Sequence, residues 1–194
     1  MIILASSSPR RKQLLEWAEV EFKIITYPTD ENIPENVALD QVPVHIAREK
    51  ALAVKARIES WENSRTLGDN NYPILAADTI VLLGTEILGK PVNREEAIEM
   101  LTKLQGNHHQ VITGVVILNG NEEISFSDVT EVEFHPLTNE EIVFYVDRYK
   151  PYDKAGAYAI QEWIGVVGIK GVHGDFYNVM GLPVSRVVQA LHKL

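Results

Sequence analysis

The sequence contains no cysteine. Disulfide scaffolds, thiolate metal sites and cysteine nucleophiles are therefore excluded, and the absence fits a reducing compartment. Long apolar runs are missing too. No stretch reaches the length that a transmembrane helix needs, so no membrane partner is expected. The opening Met1-Ile2-Ile3-Leu4-Ala5 is too short for a secretory signal and lacks its basic flank. A cytoplasmic protein is expected. Positive charge is scarce, with 18 Lys and Arg against 27 Asp and Glu, a formal net charge of -9. That balance disfavours non-specific binding to nucleic-acid polymers or anionic membranes. An anionic substrate would need a locally positive pocket or a bound cation. There is no Gly-x-Ser-x-Gly elbow to suggest a serine hydrolase. His108-His109 has no HExxH context and no third ligand at useful spacing, so both histidines read as surface or capping residues.

What remains is ordinary globular material. The 194 residues are 45% hydrophobic and 23% charged, enough for a real core in one domain spanning 1–194. Ile2 to Ala5 reads as a buried strand. Ser8 caps a helix from Pro9 to about Ala18, with Leu14, Leu15 and Ala18 inward. Phe22 to Thr26 reads as a strand and 29–36 as a loop. Val44, Ala47, Ala51, Val54 and Ile58 recur at helical spacing, which predicts an amphipathic helix over 41–59. The polar stretch 61–71 reads as an exposed connection, and Ile74 to Leu83 as a central strand. Asn93 with Glu96 opens a helix that Gly106 stops. Asn119-Gly120-Asn121 joins two strands in a hairpin, and Thr138 with Glu141 opens a helix to about Tyr149. The glycine- and aromatic-rich 155–182 predicts strands and tight turns. A last helix follows from Pro183 to Leu191, with Val184, Val187, Val188 and Leu191 inward. The alternation of strands and helices predicts an α/β fold with a mixed sheet.

Several segments carry chemistry. A strand running into Ser6-Ser7-Ser8-Pro9-Arg10-Arg11 offers helix N-terminal N–H groups, three hydroxyls and two guanidinium forks, a set that suits phosphate. A capped surface helix with solvated arginines has the same local pattern. Gly84-Thr85-Glu86-Ile87-Leu88-Gly89-Lys90-Pro91 nearly spells a P-loop. Pro91 stands where a magnesium-binding hydroxyl is required, so a P-loop is rejected. Lys90 still offers a point charge, or is an exposed loop lysine. Ala76-Ala77-Asp78-Thr79-Ile80-Val81 sets a carboxylate in an apolar strand, where it needs a partner, a metal or a proton. It suits a catalytic base or metal ligand, and equally a structural ion pair. Glu31, beside Asp30, suits Mg²⁺ or Mn²⁺, or is a solvated loop residue. Lys50 by itself reads as a surface lysine. Gln161, after Asp153 to Ile160, offers a donor and an acceptor that match a uracil-type base edge, or is an exposed turn amide.

Together these segments resemble one family. The opening serine and arginine signature is followed in order by Asp30-Glu31, Ala47-Arg48-Glu49-Lys50-Ala51, Ala76-Ala77-Asp78-Thr79 and Gly89-Lys90-Pro91. Then come Thr113-Gly114, Asp153 to Gln161 and Asn178-Val179-Met180-Gly181-Leu182-Pro183. The ordered set spans nearly the whole chain and is similar to the Maf family of nucleoside triphosphate pyrophosphatases. The resemblance implies a mixed twisted sheet with flanking helices, two lobes around a deep cleft, related to inosine triphosphate pyrophosphatases. It implies Asp78 as proton acceptor for the attacking water, and Ser8, Arg11, Lys50 and Lys90 around the phosphates. Glu31 and Asp78 are implied to hold a divalent cation, Mg²⁺ or Mn²⁺. Arg10, Thr79 and Gln161 match the positions that separate the subfamilies, and their combination resembles the dTTP/UTP branch. A nucleoside triphosphate partner and a homodimer are implied as well. Two other readings stand beside this one: an inosine/xanthosine triphosphate pyrophosphatase, and a non-enzymatic nucleotide-binding regulator of septum formation.

Overall fold

In the computed structural model, which describes residues 1–30, 37–62 and 72–194, the first strand β1 (Ile2–Leu4) is buried throughout. Helix α1 (Pro9–Trp17) begins where the Ser8 side chain accepts the Arg11 backbone N–H and Pro9 sits in the first turn. There follow β2 (Phe22–Ile24), α2 (Val42–Glu62), β3 (Ile74–Leu83), β4 (Glu86–Leu88) and α3 (Arg94–Leu104). Strands β5 (His108–Asn119) and β6 (Glu122–Phe134) come next, then α4 (Asn139–Tyr149) and a 3₁₀ turn at Ala155–Ala157. The chain closes with α5 (Trp163–Gly168), β7 (Ile169–His173), α6 (Phe176–Met180) and α7 (Val184–Leu191).

Seven strands form one mixed sheet in the order β2-β1-β3-β5-β6-β7, with β4 on β3. The first strand runs parallel to both neighbours, with Ile2 opposite Phe22 and Leu4 opposite Leu75. The β3–β4 and β6–β7 pairs are antiparallel. Two residues alone join β5 to β6, a connection only antiparallel neighbours allow. The expected α/β class with a mixed sheet and flanking helices is what the chain adopts.

The chain divides into two compact units. The first comprises 1–78, 113–128 and 181–194, and the second 79–112 and 129–180. In the first unit a core of Ile3, Ala5, Ile74, Ala76, Val116 and Leu118 meets Val44, Ala47, Ala51, Val54 and Ile58. The strand residues in that set are every second one, so they share one sheet face, and the helix residues form one stripe of α2. The intervening Leu4, Leu75, Ala77, Val115 and Ile117 are also buried, so the other face is covered too. Helix and sheet approach very closely at Gly114. A Cβ there would lie 2.1 Å from the Val44 nitrogen and 2.2 Å from the Pro43 carbonyl carbon, so only glycine fits.

In the second unit α3 buries Ala97, Met100, Leu101 and Leu104 and packs against α4. Helix α4 buries Ile142, Tyr145 and Val146 and opens with a complete capping box between Thr138 and Glu141. His109, Phe134 and Tyr158 form an aromatic cluster with ring centroids 5.2–5.5 Å apart.

Some expectations need correction. His109 is neither surface nor capping. It lies on β5, only 2% exposed, because the strand starts earlier than its apolar run suggests. The stretch 155–182 holds two short helices besides its strand and turns. Glycine argues against helix by propensity, yet Gly165 lies inside α5 because the Ile160 carbonyl oxygen sits 1.7 Å from where its Cβ would be. Beyond Leu83 the chain turns at Gly84 and Thr85, the tip of a hairpin between β3 and β4. Helix α2 continues to Glu62, so Trp61 and Glu62 belong to it. In α7, Val187 and Ala190 are buried while Val184, Val188 and Leu191 are half-buried. Residues 31–36 of the expected loop at 29–36, and 63–71 of the expected connection at 61–71, lie outside the described residues.

Candidate functional site

The candidate residues of the first unit fall into two groups. The first is the turn from β1 into α1. The Ser8 hydroxyl accepts the Arg11 N–H at 3.5 Å, and Ser6 Oγ accepts the Ser8 N–H at 3.2 Å. The Arg11 guanidinium is buried. Its Nη1 donates to Ser6 Oγ at 3.1 Å and its Nε donates to the Gly181 carbonyl at 2.8 Å. Arg11 therefore ties this turn to the Gly181-Leu182-Pro183 segment and fixes the geometry of the helix start. Arg10, beside it, is half-buried. Sequence reasoning included Ser6 in the motif but gave it no separate role. Its part as acceptor for both Ser8 and Arg11 depends on contacts that the chain order alone does not show.

The second group is an ion pair. Lys50 Nζ lies 2.6 Å from Asp78 Oδ1, with side chains 17% and 14% exposed. Lys50 precedes Ala51 on the inner stripe of α2, so it stands at the edge of the packed face rather than on the surface. Asp78 follows the buried Ala76-Ala77 and shares the sheet face of Ile74 and Ala76. The carboxylate that needed a partner has one, 28 residues away in the chain.

The parallel pairing relates the two groups. Leu4 and Leu75 are partners on β1 and β3. Beyond that point β1 ends and turns into Ser6-Ser7-Ser8, while β3 runs on to Asp78. Both groups thus lie past the carboxyl end of β1, the place where parallel α/β sheets bind ligands.

The remaining candidates lie in the second unit. Thr79 is half-buried on β3. Lys90 is exposed just after β4, and the Gly89 carbonyl before it accepts the Gly156 N–H at 3.0 Å. Gln161 is exposed on a turn closed by the Glu162 N–H bonding the Ala159 carbonyl at 3.1 Å. The segments that carry Lys90 and Gln161 are therefore linked through the 3₁₀ turn. Glu31 lies outside the described residues.

Among the described residues no group of three His, Asp or Glu side chains is placed to hold a metal. Asp78 presents one carboxylate, already beside an ammonium. A carboxylate oxygen is the kind of hard donor that suits Mg²⁺ or Mn²⁺. No described helix is long and apolar enough to cross a membrane.

The chain is similar to known proteins over its full length. A family model described as Maf-like protein matches residues 1–194. A relative from Cytophaga hutchinsonii named dTTP/UTP pyrophosphatase is 50% identical, covering 100% of this chain and 84% of its own. A Bacteroides thetaiotaomicron relative of the same name is 45% identical, covering 100% of this chain and 95% of its own. Among solved structures, the Staphylococcus aureus Ham1 protein aligns over 99% of this chain and 97% of its own, at 17% identity and a TM-score of 0.48.

Proposed function

The chain belongs to the family of Maf-like proteins, and from that premise we propose that it is a dTTP/UTP pyrophosphatase, which hydrolyses these nucleotides to the monophosphate and pyrophosphate. The observation that carries this reading is the shared name of relatives 44–50% identical across essentially the whole chain. The paired Lys50 and Asp78 beyond the end of β1 support it chemically.

In this reading a water oxygen attacks the α-phosphorus, the bond from that phosphorus to the bridging oxygen breaks, and pyrophosphate leaves. Asp78 accepts the proton of the water. Lys50, hydrogen-bonded to Asp78 Oδ1, holds the carboxylate in one orientation and adds positive charge where phosphate charge grows. Ser8 and Arg11 present the helix start to phosphate, and Lys90 contributes a further cation. Asp78 and Glu31 would hold Mg²⁺ or Mn²⁺ brought in with the substrate, and the cation would supply neutralisation of phosphate charge there. Gln161 supplies the donor and acceptor that match the N–H and carbonyl of a uracil-type ring, with Thr79 and Arg10 completing selection. A cytoplasmic homodimer working on the nucleotide pool is part of the same reading.

The test is a panel of dTTP, UTP, CTP, ATP, GTP, ITP and 7-methyl-GTP with Mg²⁺, Mn²⁺ or a chelator, assaying pyrophosphate and orthophosphate separately. Pyrophosphate from dTTP and UTP, lost on chelation, is the expected result. Orthophosphate alone, or a preference for ITP, would overturn the reading.

A further inference from the structure

Tyr145 is fully buried on the inner face of α4, outside every motif that carries a candidate residue. Its hydroxyl nevertheless meets both ends of the turn that carries Gln161. It accepts the N–H of Ala159, the first residue of that turn, at 3.2 Å. It donates to Oε2 of Glu162, the last residue of the turn. One phenol thus spans the first and fourth positions of a four-residue turn whose third position is Gln161.

The surroundings reinforce this clamp. Lys154, itself buried, donates from Nζ to Asp153 Oδ1 at 2.7 Å and places the same ammonium 3.5 Å from Glu162 Oε1. The carboxylate of Glu162 therefore takes a hydrogen bond on Oε2 and faces an ammonium on Oε1. Glu162 also stands at the N-cap position of α5, yet its side chain makes no cap. It faces Tyr145 and Lys154 instead. On the other flank of Gln161, the Ile160 carbonyl occupies the space a Cβ of Gly165 would need. Backbone on both sides of Gln161 is fixed while its own side chain stays exposed. Such an arrangement suits an amide that must present its donor and acceptor to a ligand without reorganising on binding.

We propose that Tyr145, acting through Glu162 and the Ala159 N–H, is a positioning residue for base selection by Gln161. The proposal rests on the reading of Gln161 as the group that recognises a uracil-type edge.

The test compares kcat/KM for UTP and GTP in the wild-type protein and in Gln161→Ala, Tyr145→Phe, Glu162→Ala and Glu162→Gln. Tyr145→Phe keeps the ring, which stacks on Tyr149 at 5.0 Å, and removes only the hydroxyl. The UTP-over-GTP ratio is expected to fall about five- to tenfold in Tyr145→Phe, the scale of one hydrogen bond, with turnover of GTP unchanged. Glu162→Ala, at a side chain already partly exposed, should lower the ratio similarly, and Glu162→Gln, which keeps an acceptor for the phenol, should restore it. If Tyr145→Phe does not fold, the two Glu162 variants carry the test. An equal loss on both substrates, or an unchanged ratio in Tyr145→Phe and Glu162→Ala while Gln161→Ala loses its preference, would overturn the proposal. A wild-type protein with no UTP preference, or a Gln161→Ala variant that keeps it, would instead refute the underlying reading of Gln161.

Discussion

Replacing Asp78 by Asn should separate catalysis from stability. The ion pair with Lys50 spans 2.6 Å, and its side chains are 14% and 17% exposed. It is neither a surface pair, worth about 0–1 kcal/mol, nor a fully buried one, whose breaking costs about 3–5 kcal/mol. Removing the carboxylate charge takes from the half-buried Lys50 ammonium the counter-charge at 2.6 Å, and a loss of about 2 kcal/mol follows from those bounds. For a chain of this size that corresponds to a fall in Tm of roughly 4–8 °C. The double variant Lys50→Met/Asp78→Asn removes both charges and should recover most of the lost stability, because the cost lies in burying one charge of the pair without the other. Activity should not recover. Loss of a catalytic base costs about 10²- to 10⁴-fold, and both variants should lack it. Thermal melts and pyrophosphate release on the same samples decide the matter. A double variant as unstable as Asp78→Asn would refute the ion-pair argument. Near-normal turnover in Asp78→Asn would refute its role as base.

Two further outcomes follow from packing and burial. Gly114→Ala must push α2 away from β5, since its Cβ would meet backbone at 2.1–2.2 Å, and overpacking of that kind costs about 1–3 kcal/mol or more; a melt within 1 °C or so of wild type would contradict the close approach. Burial lowers the pKa of His109 to about 4, so the unfolded chain binds its proton first as pH falls. Stability from neutral His109 is therefore complete above about pH 6.5 and lost as pH falls through 4, by about 3 kcal/mol. In urea unfolding between pH 7 and pH 4, His109→Gln should lose that much less than wild type, and parallel pH profiles would refute the assignment.

Much of the fold was legible because local signals agreed with tertiary structure. Ile74–Leu83 forms the strand its apolar run predicts, and Thr138 with Glu141 caps α4 as the motif requires. Legibility failed where partners lie far apart in sequence. The charge of Asp78, set in an apolar strand, demanded compensation, yet nothing local names Lys50 as its source. His109 could have been found by extending the period-two pattern of Val111 and Thr113 backwards, since all three are buried on β5. Propensity misled at α5, where Gly165 is set by a close carbonyl contact and not by backbone freedom. The clamp on Gln161 was invisible for a similar reason. Tyr145 reads as one more core position of an amphipathic helix, and only the packed structure shows what its hydroxyl holds.

The central claim is that water attacks the α-phosphorus of a pyrimidine nucleoside triphosphate. Turnover of UTP in heavy-oxygen water, followed by mass analysis of both products, tests it most directly. The account predicts one heavy oxygen in the monophosphate and none in the pyrophosphate. Label in the pyrophosphate would place attack on the β-phosphorus and contradict it.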